Sequence, residues 1–214
     1  MKCKIRYNAV KAERNEAAKL FTACLDAVSG DAFRQLGWGR KRLQDMFNAT
    51  EETLFEVIER SAAADTTGDY SIDCDNQRML LDASVTALWS MRRTLMECGY
   101  DFFKEDERLM WSDPYDTKWL PPSLASVHAA RLGWCKNTEY MTRPYILTVL
   151  LHARSKGYGA ERLGTLHKLI RTKFNEFVQA WLLCTVDADK RCEDTIQKKL
   201  EELEAIGVKT MQLK

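Results

Sequence analysis

Histidine is scarce in this chain. Its three copies, His128, His152 and His167, lie far apart and belong to no HExxH or comparable pattern, so no metal-ligand set is legible. His152 and His167 flank one turn and are near enough in sequence to meet in space, but one satisfied and one exposed histidine is the expectation. No two cysteines have CxxC spacing. The seven present (Cys3, Cys24, Cys74, Cys98, Cys135, Cys184 and Cys192) are odd in number and fall mostly on apolar positions of helical patterns. That usage predicts reduced, buried thiols in a cytoplasmic protein. There is no G-x-S-x-G elbow, phosphate-cradling glycine loop or dinucleotide fingerprint, and no carboxylate pair that anything would bury or position. The expectation is a non-enzyme with no cofactor and no metal. No run is long and apolar enough to span a bilayer, and the first residues lack the apolar stretch of a signal peptide. With a formal net charge of +1, the chain has no global attraction to nucleic acid or an anionic membrane, so any such contact needs a local patch.

What the sequence has is a motif that returns 120 positions later. Gly37-Trp38-Gly39-Arg40-Lys41-Arg42-Leu43 is matched by Gly157-Tyr158-Gly159-Ala160-Glu161-Arg162-Leu163. At the same offset Met46 meets Leu166, Leu54 meets Phe174 and Glu56 meets Glu176. Beyond, the offset becomes 108: Leu88 meets Ile196, Leu95 meets Leu203 and Gly99 meets Gly207. The difference of twelve places an insertion within Ala62 to Asn76 of the first copy. The recurrence predicts an all-α protein with two divergent copies of one helix-turn-helix-like unit. In each copy the first glycine is a helix C′ residue in the left-handed conformation, which glycine reaches without a Cβ clash. The second glycine opens the next helix, the aromatic folds back onto both helices, and Leu43 or Leu163 points inward. A helix-turn-helix DNA reader has this form, and so does a helix corner that only packs.

Along the chain, residues 2–9 alternate weakly and read as a short strand or extended arm. A helix is expected from Ala12 to Val28, broken at Ser29-Gly30-Asp31, with Asp31 capping a short continuation. The helix after the first turn reaches about residue 61, and Thr50-Glu51-Glu52 marks a kink and restart. The inserted stretch carries Asp65, Asp69, Asp73 and Asp75. Its order of ligands and glycine does not fit an EF-hand loop, so a solvated loop is expected, followed by a helix over about 75–98. Residues 99–135 combine many aromatics with turn signals at Asp113-Pro114 and Pro121-Pro122, without a sustained period. They read as an irregular segment that wraps a helical body or supplies aromatic anchors. The second unit begins near Asn137, and Asp187 or Asp189 caps its last helix. The resulting division is 1–98, a first helical unit; 99–136, an aromatic-rich connection; and 137–214, a second helical unit.

Candidate binding residues cluster after the turns. Arg40, Lys41 and Arg42 stand on the first turn of a helix, with Gln44 and Asn48 further along, where a recognition helix presents side chains to bases and phosphates. Cations there oppose the helix dipole at ~0.3–1 kcal/mol each, which points to an anionic partner. The second copy offers Arg162, Lys168 and Arg171; a salt bridge to a neighbouring helix would account equally for the shared Arg42 and Arg162. The unit "helix, Gly-aromatic-Gly, x-x-Arg-Leu, helix" resembles segments of uncharacterised helical proteins from phages and prophages of gut Firmicutes. It is also similar to small helical anti-CRISPR proteins. The resemblance covers the turns and their flanking helices, about half the chain. It implies a non-catalytic phage-type protein in the host bacterial cytoplasm that binds and inhibits a host defence nuclease ribonucleoprotein. The alternative reading is a double helix-turn-helix regulator that binds duplex DNA; a phage structural or assembly protein is a third.

Overall fold

Helix begins at the second residue. In the computed structural model, which describes residues 2–63, 89–112, 121–183 and 185–210, Lys2–Gln35 form one continuous helix, α1. The weak alternation over 2–9 does not make a strand: adding residues to an existing helix is far easier than starting a new element, and the pattern from Ala12 onward supplies the nucleus. Nor do Ser29-Gly30-Asp31 break it. A Cβ on Gly30 would lie 2.6 Å from Leu203 Cδ1, so this glycine serves close approach of a distant helix rather than a turn. Asp31 is not a cap; its carboxylate pairs with Lys173 and Lys199 across helices.

The remaining elements are α2 (Arg40–Ala63), α3 (89–96), α4 (Phe102–Leu109), α5 (Pro122–Ser155), α6 (Ala160–Trp181) and α7 (Val186–Ala205). All regular structure among the described residues is helical. The restart expected at Thr50 is absent: α2 is unbroken there, and the buried Thr50 hydroxyl donates to Met46 Sδ at 3.7 Å. The described parts of the stretch 99–135, residues 99–112 and 121–135, are much less irregular than their composition implies. Phe102 and Asp106, four apart and so on one helix face, are the buried residues of α4. Pro122 stands at the N-terminus of α5, where its missing N–H costs nothing, and the helix runs without interruption past Asn137 to Ser155. The last helix is capped by Thr185, whose side chain accepts from Ala188 N, while Asp187 and Asp189 sit in the first turn. The acidic stretch 65–75 and the start of the helix expected over 75–98 lie outside the described residues.

Four helix ends share one closure. Gly37, Gly99, Gly157 and Gly207 have φ of 79°, 82°, 90° and 76°. In each, the glycine N–H donates three residues back and the next N–H five back. At the first turn these are Gly37 N to Arg34 O (3.0 Å) and Trp38 N to Phe33 O (3.0 Å). At the second they are Gly157 N to Arg154 O (2.9 Å) and Tyr158 N to Ala153 O (3.2 Å). This double bond satisfies carbonyls that a helix end leaves orphaned.

The arms on either side of the two turns are interleaved. α2 packs chiefly on α5 and α1 on α6, so each arm's first helix covers the other arm's second, and α7 lies along α1 and α6. One apolar cluster draws from all of these elements. Phe21 of α1 stands edge-on to Phe174, Phe177 and Trp181 of α6, with centroids 5.8, 5.7 and 5.3 Å away. Leu43 and Leu163 are fully buried at matching places in α2 and α6, each contributing ~1.5–3 kcal/mol of transfer free energy.

Gly157 and Gly159 separate two demands on glycine. Gly157→Ala is expected to destabilise by ~1–2 kcal/mol, because alanine must then hold a left-handed backbone. Gly159 has φ −85° in open space and caps α6 without a side-chain bond, so Gly159→Ser is expected to gain a few tenths of a kcal/mol, about the N-cap difference between these residues. Urea titrations of both variants check the contrast.

Candidate functional site

The two turns touch. Trp38 Nε1 donates to Tyr158 OH at 2.7 Å, and the rings meet edge-on with centroids 5.8 Å apart. Trp38 also packs against Phe33 (4.2 Å) and His152 (5.9 Å). Since α2 and α6 start two residues after these aromatics, their N-termini lie at one end of the bundle. Residues 37–45 and 154–162 hold six cations (Arg40, Lys41, Arg42, Arg154, Lys156 and Arg162) and two carboxylates (Asp45 and Glu161). A chain of net charge +1 thus concentrates positive charge at this end.

The predicted site residues divide into several groups. Arg40, Lys41 and Arg42 are exposed on the first turn of α2. Arg40 has an internal role, however. Its guanidinium lies against the end of α7, where a Cβ on Gly207 would come 2.8 Å from Arg40 Cζ. A cation at the C-terminus of α7 is favourable, which offsets its unfavourable place at the start of α2 and removes it as a pointer to an anionic partner. Gln44 is likewise engaged: its Oε1 accepts from Lys209 N (2.7 Å), and its Nε2 donates to Lys209 O (3.1 Å) and to Asn48 Oδ1 (2.8 Å). Asn48 is exposed. Arg162 is exposed, with Cζ 5.8 Å over the Tyr158 ring, and Lys168 is exposed two turns further along α6. No carboxylate among the described residues bridges to Lys41, Arg42 or Arg162, so a salt bridge does not account for the shared arginine.

Arg171 is a correction. It is fully buried and faces the interior, so it is removed from any binding surface. Arg171 Nε and Nη2 donate to Asp106 Oδ1 (2.6 Å) and Oδ2 (2.8 Å), while Nη1 and Nη2 donate to Glu139 Oε1 (3.2 Å) and Oε2 (3.0 Å). Arg143 Nε reaches Asp106 Oδ2 at 3.0 Å, and Trp111 Nε1 donates to Glu139 Oε1 at 2.8 Å. His167 Nε2 lies 2.9 Å from Asp106 Oδ1 and its Nδ1 lies 2.7 Å from Tyr100 OH. Because the carboxylate can only accept, Nε2 carries the proton and donates, leaving Nδ1 of the neutral ring to accept from the tyrosine. Two carboxylates face two guanidiniums and a neutral imidazole, so the network is charge-balanced.

Burial pushes the Asp106 carboxyl up, but hydrogen bonds from His167 and Arg171 and the guanidinium charge outweigh it, holding it at about 2. For His167 the order is reversed: burial pulls its pKa down and wins over the carboxylate beside it. The pair of histidines flanking the second turn does not form a unit. His167 faces α4, whereas His152 packs on Trp38, its pKa lowered by burial and by Lys156. Among the described residues no group of His, Cys, Asp or Glu is arranged to hold a metal ion. A signal for the network was present in sequence: His167 and Arg171 fall within the apolar stripe of α6, and a buried arginine demands carboxylates. No protein-family model, curated protein or solved structure matches the chain.

Two outcomes follow from the network. Asp106→Asn leaves buried guanidinium charge uncompensated and is expected to cost ~3–5 kcal/mol in urea unfolding. The depressed pKa values of Asp106 and His167, and of His152 outside the network, make the fold acid-labile, since the unfolded chain takes up protons that the folded chain refuses. Stability is expected to fall once pH drops below about 6.5 through the histidines, and again below about 4 through Asp106. Between pH 7 and 5 the slope shrinks in His167→Gln and shrinks further when His152→Gln is added; an unchanged slope in unfolding titrations contradicts this.

Proposed function

We propose that the chain is a non-enzymatic, phage-type binding protein that inhibits a host defence nuclease ribonucleoprotein through the end of the bundle where its two turns meet. The observation that carries this reading is the contact between Trp38 and Tyr158, which brings Lys41, Arg42 and Arg162 to one exposed, positively charged end. Such an end suits a partner displaying phosphates, as a guide-loaded nuclease does. The resemblance of both turns to those of phage and anti-CRISPR helical proteins supports the assignment. We read the two arms as divergent copies of one unit, supported by four like helix closures and by Leu43 and Leu163 buried at matching places.

The double helix-turn-helix regulator fits this geometry less well. Paired recognition helices enter successive major grooves about 34 Å apart. Turns joined through a side-chain hydrogen bond hold the starts of α2 and α6 well inside that spacing, and α2 lies with its apolar stripe against α5.

The test is co-purification with a panel of guide-loaded defence nucleases, with cleavage measured alongside. The expected result is a stable, inhibited complex whose affinity weakens with salt. A Lys41→Glu, Arg42→Glu, Arg162→Glu triple variant is expected to weaken it at least tenfold while keeping the wild-type unfolding midpoint within a few degrees. Arg40 is left in place because it supports the end of α7. Neither binding nor inhibition across the panel, or full binding by the triple variant, overturns the proposal; tight binding to bare duplex DNA instead restores the regulator.

A further inference from the structure

A second feature lies away from the cationic end and does not depend on the reading above. Between α1, α6 and α7 runs an open slot of about 490 Å³. Its floor is made of small or apolar side chains, among them Cys24, Ala27, Phe177, Ala180 and Cys192. Burial pushes both thiols up from their ordinary pKa, so they are protonated, apolar groups at neutral pH rather than nucleophiles or soft-metal ligands. Polar groups gather along one rim and at one end. There Lys173 and Lys199 both pair with Asp31, with the Lys199 contact at 3.4 Å, and Lys199 also reaches Glu202 at 3.4 Å. Arg34 joins the same cluster through Glu202, again at 3.4 Å. Within this ion-pair cluster three cations (Arg34, Lys173 and Lys199) meet two carboxylates (Asp31 and Glu202). Of the other charged residues that line the slot, Glu176 follows Lys173 by three residues on α6 and Arg191 lies two turns from Lys199 toward Ala188. An ammonium has three donors, and both bonds of Lys199 are long, so Lys199 retains the capacity to take another anion.

We propose that this slot binds a single-chain monoanionic amphiphile, a fatty-acid-type carboxylate, with its head at Lys199 and Lys173 and its alkyl chain on the floor. The ammonium of Lys199, with only two contacts of 3.4 Å, suits an anionic head, and the apolar floor suits an alkyl tail. From Lys199 to Ala188 along α7 is roughly 16 Å at 1.5 Å per residue, a length that accommodates a chain of about a dozen carbons. The volume falls in the range of ordinary small-molecule sites.

Isothermal titration calorimetry of the full chain with hexanoate, octanoate, decanoate and dodecanoate, each below its micelle concentration, tests this. Affinity is expected to rise about fourfold per methylene and to level off near twelve carbons, with one ligand per chain. Dodecyltrimethylammonium, with the opposite head charge, is expected to bind at least tenfold more weakly than dodecanoate. Lys199→Ala is expected to weaken dodecanoate about tenfold and Ala180→Phe, which fills the slot, to abolish binding, with circular dichroism confirming that both variants keep the helical fold. If Ala180→Phe fails to fold, Thr195→Trp at the exposed rim takes its place as the blocking variant. Absence of binding overturns the proposal, as does binding indifferent to head charge or to filling the slot, which marks adsorption to the surface.

Discussion

The hydrogen bond from the Trp38 indole to the Tyr158 hydroxyl is the constraint on which the arrangement of the other elements depends. It joins two turns 120 residues apart, and each turn already fixes the crossing of the helices it connects. Once the turns are joined, the starts of α2 and α6 must share one end of the bundle, and α1 and α5 must leave that end together. Each first helix then covers the second helix of the other arm, so neither arm buries its apolar stripe alone. The cationic end therefore needs both arms in place, since each supplies one of the two joined turns.

The buried polar network does a second kind of work. Phe102 of α4 stacks on the His167 ring of α6, with centroids 5.0 Å apart. Bidentate contacts from Arg171 to Asp106 and Glu139 add a directional constraint. Replacing the whole network by well-packed apolar groups need not weaken the fold, but removing one member does, because the remaining charge is stranded. The network thus joins α4 and α5 to α6 at defined atoms.

What the sequence reveals and conceals follows from the range of each interaction. The closures at Gly37, Gly99, Gly157 and Gly207 are local chemistry, and pattern and spacing locate them directly. The stripes of α2 and α6 are equally plain, since Leu43, Met46, Leu54 and Leu163, Leu166, Phe174 all point inward. Gly30 could not be read correctly, because its reason is Leu203, a residue on a distant helix. Asp31 and Arg171 share that cause: a local pattern shows a cap or a surface cation, and only the fold brings their opposite charges within reach. Arg40 shows the subtler case, in which a local cost at α2 is balanced at the end of α7. The start of α5 was hidden because Pro121-Pro122 reads as a turn and in fact opens the helix.

One side-chain hydrogen bond holds the two turns together, and a double-mutant cycle between Trp38→Phe and Tyr158→Phe measures it directly. If the hydrogen bond joins them, the single variants each destabilise and the double variant loses less than their sum, with a coupling of about 1 kcal/mol or more. Additive losses, with coupling within the ~0.3–0.5 kcal/mol expected of independent sites, would mean that the turns do not meet and that the shared cationic end does not exist.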